Sequence, residues 1–235
     1  MAEPVTIPAQ FNGPLESGNG GYAGGLLAPL APGSAAISLR SPVPLDTPLD
    51  PVPGEDGVVR VMDGETLVAE VSPAPEVGLE VPDPVGIEEA RAAAANYRGK
   101  AEGLFSHCFV CGRAREDGFD VFAGAVEGRD VVATPWTPPR WTAGDDGAVR
   151  PEFVWAVLDC PTYFALYPDT NPLSFLARMS VRIDGPVRAG EEHVVIAWPI
   201  EKDGRKHHAG SAVLSASGET LAVAQALLID TGSSA

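Results

Sequence analysis

An aspartate stands in the middle of the most apolar segment of the chain. Residues 152–167 predict an apolar helix, and Asp159 lies in it between Trp155 and Tyr163, each four residues away. A carboxylate in such surroundings is destabilising unless it is hydrogen-bonded or protonated. Pro161 removes a backbone donor and predicts a kink or a restart of the helix just after Asp159. Asp159 is therefore a candidate general base, or else the N-cap of a second helical segment.

A glutamine is the second candidate. On the predicted strand 219–229, the alternation of side chains places Gln225 on one face with Leu221, Val223 and Leu227. A buried amide needs hydrogen-bond partners. Gln225 is therefore either a catalytic group or a core amide bonded to the backbone.

A glycine pair precedes the first predicted helix, a short one over residues 20–31. The motif is Asn19-Gly20-Gly21. Backbone N–H groups at a helix start bind anions, and glycine lets a ligand approach closely. The same groups would stabilise the oxyanion that forms when a thioester carbonyl is attacked. An ordinary loop is the alternative.

The three cysteines give a weak metal signal. Cys108 and Cys111 have the spacing of a zinc-binding pair, but a second such pair is absent and Cys160 falls in the apolar helix. Because zinc needs four ligands, the sequence predicts small buried thiols and no metal site. An odd number of cysteines without a visible signal peptide predicts a reducing, cytoplasmic setting.

Charge limits the partners. The 235 residues carry a net charge of −16, with 16 Lys and Arg against 32 Asp and Glu, which disfavours nucleic acid. No apolar run approaches the roughly 18 residues that span a bilayer, so no membrane partner is expected. An anionic small ligand remains compatible, because basic residues cluster locally. Unless they only form a solvated face, the residues that would receive phosphates are Arg178, Arg182, Arg205 and Lys206.

The predicted elements fall into two similar parts of an α+β protein. Each part has one helix and a run of antiparallel strands, and GETLVAEV at 64–71 echoes GETLAVAQ at 218–225. We expect an N-terminal half over residues 1–75 and a C-terminal half over residues 104–235. Residues 76–103 predict a proline-rich, acidic linker that carries an exposed helix.

Several short motifs together resemble hotdog-fold acyl-CoA thioesterases. HCFVCG at 107–112 is similar to the opening motif of PaaI-like members, EFVWAVLDCPTYFA at 152–165 to their central helix and GETLAVAQALLI at 218–229 to their closing strand. NGGYAGGLLA at 19–28 resembles the helix start of the N-terminal half in TesB-type enzymes. The resemblance implies a double hotdog, in which two antiparallel sheets each wrap around a central helix.

The resemblance also implies catalytic roles. In TesB-like enzymes an Asp, a Gln and a Thr or Ser position the attacking water, and the first two match Asp159 and Gln225. The third position falls near Trp198-Pro199, where there is no hydroxyl group, so Thr162 or Ser180 would substitute.

Further contacts follow from the same resemblance. Gly20 and Gly21 would supply oxyanion N–H groups from the other half, and Asn19 and Tyr22 would contact the substrate. Aligning residues 20–28 with residues 151–159 places Ala28 opposite the catalytic aspartate. We therefore expect one working site per chain.

The predicted function is hydrolysis of acyl-CoA thioesters by a water that Asp159 activates and Gln225 orients, both side chains meeting at one cavity. No cofactor is expected beyond the coenzyme A of the substrate, and the chains are expected to form homodimers. A non-catalytic acyl-CoA-binding or regulatory hotdog protein is the alternative. A hotdog hydratase is less favoured, because it would want a paired Asp and His and none of the four histidines lies on a predicted central helix.

Overall fold

The computed structural model describes residues 3–234, which fold into three α-helices and eleven β-strands. The helices are α1 (Gly20–Leu27), α2 (Ile87–Ala94) and α3 (Pro151–Leu166). The strands are β1 (Val5–Thr6), β2 (Ala35–Leu39), β3 (Pro48–Pro53), β4 (Val59–Asp63), β5 (Thr66–Pro73), β6 (Gly124–Ala125), β7 (Val132–Trp136), β8 (Pro172–Ile183), β9 (His193–Asp203), β10 (Lys206–Ser215) and β11 (Thr220–Ser234).

All eleven strands of the described chain form one antiparallel sheet. Its order is β1-β3-β4-β5-β2-β8-β11-β10-β9-β7-β6. Strands β1–β5 therefore form one part of the sheet and β6–β11 the other, and the two parts meet where β2 pairs with β8. The prediction of two separate sheets is therefore wrong. Pairing of Ile37 with Met179, and of their neighbours, joins the two sets. This pairing satisfies backbone groups that would otherwise form two open sheet edges.

The hairpins lie where the turn sequences predict them. β4 and β5 are joined at Asp63-Gly64, β9 and β10 at Asp203-Gly204, and β10 and β11 near Gly218. The three glycines have positive φ angles, a conformation that suits tight turns. These turns fix the register of the sheet.

Helix α3 lies on one face of the sheet and is almost completely buried. Alternate residues of β11 facing it are alanines, among them Ala222 and Ala224, which let the helix approach closely. The hydroxyl of Ser211 on β10 donates a 2.6 Å hydrogen bond to the backbone oxygen of Leu158. The helix continues through Pro161. The predicted restart is therefore wrong, and Asp159 is a mid-helix residue and not an N-cap.

Helix α1 packs antiparallel against α3 with backbone against backbone. A Cβ atom on Gly21 would lie 2.6 Å from the backbone oxygen of Trp155, and one on Gly25 would lie 2.4 Å from the Cα of Glu152. Only glycine allows this approach. The glycines of the first helix thus bring its start against the middle of α3.

The opposite face of the sheet is covered in part by the segment that joins the two sets of strands. Helix α2 is exposed on one side and buries Ala90 and Ala93 on the other, where they pack with Val77 and Val223. Both faces of β11 are therefore apolar. None of the helices between residues 3 and 234 is both long enough and apolar enough to cross a membrane.

Candidate active site

A cavity of about 860 Å³ opens between the N-terminal loops, helix α3 and strand β8. Small-molecule sites in proteins typically have volumes of about 300–1,000 Å³. Helix α3 contributes Asp159, Cys160, Tyr163 and Phe164 to its wall. The remaining wall is formed by residues 13–20, 39–43, 97–111, 171–177 and 228–229, with gaps. The cavity therefore joins segments from both ends of the chain.

Asp159 is a buried carboxylate in the wall of this cavity. Asp159 is 8% exposed, and its Oδ2 accepts a 2.9 Å hydrogen bond from the N–H of Gly21. Burial raises the pKa of Asp159 to about 7, while the Gly21 hydrogen bond acts in the opposite direction. The carboxylate is thus held in one place beside an apolar space.

The two predicted oxyanion donors differ in what they do. The N–H of Gly21 is engaged by Asp159 and is not free for a substrate oxygen. Gly20 is the first helical residue, so its N–H has no intrahelical partner, and it lines the cavity. Asn19 caps the same helix end by accepting a hydrogen bond from the N–H of Tyr22 through its side chain.

Gln225 does not reach the site, and the prediction that it is buried is wrong. Its side chain is exposed and it is absent from the cavity wall. The residues that precede and follow it, Ala224 and Ala226, are buried on the face that carries α3. Because side chains alternate along a strand, Gln225 lies on the opposite face of the sheet.

Neither hydroxyl residue that was expected to substitute faces the carboxylate. The hydroxyl of Thr162 donates a 2.6 Å hydrogen bond to the backbone oxygen of Asp159, within the helix. Ser180 pairs with Gln225 across β8 and β11 and shares its outward face. The three-residue arrangement implied by the resemblance is therefore not assembled at this cavity.

The predicted substrate contacts are only partly brought together. Asn19 lines the cavity, whereas Tyr22 is buried in an aromatic cluster with Phe11 and Phe153. The four predicted phosphate-binding residues lie outside the cavity wall: Arg178, Arg182, Arg205 and Lys206.

Two of the four predicted phosphate-binding residues already have hydrogen-bond partners within the protein. Arg182 forms a two-pronged ion pair with Asp184, and Arg205 donates to the backbone oxygen of Asp230. The basic residues that do line the cavity are Arg40 and Lys100, which the sequence did not single out. They belong to loops far apart in the chain, so no local pattern indicates them. Arg40 also has a partner, since it forms an ion pair with Glu70, but its side chain is half exposed.

The three cysteines come together at the wall of the same cavity. Their sulfur atoms all lie within 4.8 Å of one another, and Cys108 and Cys160 are 3.8 Å apart. The pKa of Cys108 lies well below its usual range, because Cys111 and Cys160 donate S–H hydrogen bonds to it and the backbone N–H groups of Cys111 and Val110 add to them. The CxxC spacing was the sequence signal, but the third thiol was not expected there.

Comparisons with known proteins identify the architecture. No family model matches the sequence, and no match to it was found among curated proteins. A tesB protein of Mycobacterium avium subspecies paratuberculosis superposes with a TM-score of 0.57 at 14% identity, over 97% of this chain and 91% of that one. A conserved protein of unknown function with a hotdog fold from Alicyclobacillus acidocaldarius gives 0.58 at 12% identity, over 96% and 91%.

The chain has a hotdog fold. This confirms the hotdog fold that the motifs predicted, although not its division into two sheets. At these identities the likeness concerns the fold alone. What the hotdog chain does must be argued from the cavity and from Asp159.

Proposed function

We propose that this hotdog protein hydrolyses acyl-CoA thioesters in the cavity beside Asp159. One observation carries the proposal: a buried carboxylate lines a largely apolar cavity and is fixed by a helix N-terminus from the other half of the chain. A carboxylate in such a position suits a general base more than a structural role, because burial without a cation is destabilising. The likeness to a tesB protein supports the same reaction class at the level of the fold.

The reaction would proceed in one displacement. Asp159 accepts a proton from a water molecule, and the resulting hydroxide attacks the thioester carbonyl. The N–H of Gly20 donates to the oxyanion of the tetrahedral intermediate, helped by the positive end of the α1 dipole. The C–S bond then breaks, and the coenzyme A thiolate leaves with the proton that Asp159 took from the water, which restores the carboxylate. The products are a free acid and coenzyme A.

The walls of the cavity suggest how the substrate lies. Phe164, Phe175 and Leu176 give the space an apolar lining that suits an acyl chain. Arg40 and Lys100 border the same space and would contact the phosphates of coenzyme A. This assignment replaces the four basic residues that the sequence predicted.

The chain would hold one such site, as part of a double hotdog. The counterpart of Asp159 in the first half is Ala28, which has no acid group. The counterpart of Gly20 is Pro151 at the start of α3, which has no N–H to donate. Both chemical elements of a second site are therefore missing. Assembly of these chains as homodimers stays a prediction, which light scattering measures.

A panel of short, long and aromatic acyl-CoAs tests the proposal. Free coenzyme A would be quantified by chromatography with mass detection, since thiol reagents would also react with the cysteines. We expect release from at least one class, and loss of that release with Asp159→Ala. Absence of release across the panel would contradict the proposal.

A non-catalytic acyl-CoA binder is the second candidate. The outward position of Gln225 favours it, because no second side chain from the predicted set helps to orient water. Calorimetric binding of acyl-CoA without release of coenzyme A would support this candidate and reject hydrolysis.

A further inference from the structure

Three thiols from two distant segments form a compact cluster that the proposed hydrolysis does not use. Cys108 and Cys111 lie on the loop before β6, and Cys160 lies on α3 directly after the catalytic aspartate. Cys108 is 1% exposed and Cys111 is 8% exposed, and the cysteines are free thiols. All three line the cavity, so the cluster is buried and yet reachable from solvent.

We propose that Cys108, Cys111 and Cys160 bind one zinc ion through three thiolates, with the fourth coordination position facing the cavity. Zinc prefers sulfur ligands and a tetrahedral arrangement, and three protein ligands with one open position are typical of zinc sites that exchange a ligand. The sequence alone disfavoured zinc, because the third ligand comes from a helix 49 residues further along the chain.

The spacing of the sulfur atoms fits this ion. A Zn–S bond of about 2.3 Å places tetrahedral sulfur ligands about 3.8 Å from one another. Cys108 and Cys160 are 3.8 Å apart, and all three sulfur atoms fall within 4.8 Å. Zinc binding would draw the third sulfur to the same separation.

The surroundings of the cluster supply donors to sulfur. The side-chain amide of Asn19 points its Nδ2 at both Cys108 and Cys160, at 3.8 Å from each sulfur, while its Oδ1 is engaged by the N–H of Tyr22. Neutral thiols gain little from such donors, whereas metal-bound thiolates are stabilised by outer hydrogen bonds.

The CxxC loop is also held in place independently of any ion. The N–H of Gly112 donates to the backbone oxygen of Cys108 at 2.8 Å. The hydroxyl of Tyr97 donates to the backbone oxygen of Cys111 at 2.5 Å. A preformed loop lowers the ordering cost of binding. His107 precedes the loop, but it is exposed and does not belong to the cluster.

Metal titration of the reduced, metal-stripped full chain tests the proposal. With a chromophoric competitor present, we expect one Zn²⁺ per chain. Co²⁺ should give sulfur-to-metal charge-transfer bands and the intense visible bands of a tetrahedral ion. Each of Cys108→Ser, Cys111→Ser and Cys160→Ser should abolish this spectrum. The matched control His107→Ala should leave it unchanged.

The results of these titrations distinguish a three-thiolate site from other modes of metal binding. Binding that survives Cys160→Ser, or a spectrum without charge-transfer bands, would overturn the three-thiolate site. Asn19→Ala should weaken zinc binding by roughly ten-fold or more, as loss of an outer hydrogen bond does elsewhere. If a cysteine variant fails to fold by circular dichroism, alkylation of the wild type decides: zinc must protect all three thiols, and unchanged alkylation contradicts the site.

These measurements use no acyl-CoA. A failed titration therefore leaves the hydrolysis proposal standing, and an inactive protein leaves the zinc site standing.

Discussion

The backbone N–H of Gly21 on α1 donates a 2.9 Å hydrogen bond to the Oδ2 of Asp159 on α3. The two residues are 138 positions apart in the chain, and the bond exists because the two helices touch backbone to backbone at this point. It fixes the orientation of a buried carboxylate that faces the cavity. The start of one helix thus positions the candidate base of the other.

Close helix packing leads to a stability prediction. Gly25→Ala would place a Cβ atom 2.4 Å from the Cα of Glu152, a backbone atom that cannot move independently. We expect a loss of about 1–3 kcal/mol in the free energy of unfolding, the usual cost of overpacking. Urea unfolding measures it. Gly78→Ala is the control, because a Cβ there meets nothing within 4 Å. Equal stability of the two variants would mean that α1 and α3 are further apart.

The exposed position of Gln225 predicts that its replacement has little effect. Gln225→Ala should change kcat for acyl-CoA hydrolysis by no more than about two-fold, as is usual for surface substitutions. Steady-state kinetics on the best substrate from the panel would measure this. A large fall in kcat would show that Gln225 reaches the reacting water, as the family resemblance implies.

Substrate binding distinguishes two arginines. Arg40 lines the cavity and Arg178 does not, although the sequence favoured Arg178. Arg40→Ala should raise KM by roughly two- to five-fold, the range that one exposed ion pair gives, and leave kcat unchanged. Arg178→Ala should leave both constants as in the wild type. The reverse pattern would mean that the phosphates of coenzyme A bind at Arg178 on β8.

The sequence located Asp159 because helical periodicity surrounds it with apolar residues, and that pattern does not depend on which partner covers the helix. It misplaced Gln225 because both faces of β11 are apolar. Ala222 and Ala224 face α3, while Val223 faces α2 and the joining segment. Alternation separates the two faces of a strand but does not say which one carries the site.

The thiol cluster and the position of Arg40 at the cavity were beyond local patterns for another reason. Cys108 and Cys160 meet across 52 residues, and Arg40 follows β2, which lies beside β8 at the cavity. Such contacts depend on the joining of the two sets of strands, and the sequence predicted two separate sheets.

A buried histidine predicts how stability depends on pH. Burial lowers the pKa of His193 from its ordinary 6.5, while the backbone oxygen and the charge of Glu191 act in the opposite direction. The folded state thus favours the neutral ring, so this contribution is present above about pH 6.5 and is lost as the pH falls through the lowered pKa. Urea unfolding from pH 7.5 down to pH 5 should show a steeper loss for the wild type than for His193→Gln. Parallel curves would mean that the ring charges freely in the folded protein.

The role of Asp159 as general base is tested most directly by Asp159→Asn. The amide keeps the shape of the side chain and an oxygen that can accept from the N–H of Gly21, but it does not take a proton from water. We predict that kcat falls by about 100-fold or more, the usual contribution of a general base, while calorimetry shows acyl-CoA binding as in the wild type. Turnover close to that of the wild type in this variant would contradict the account.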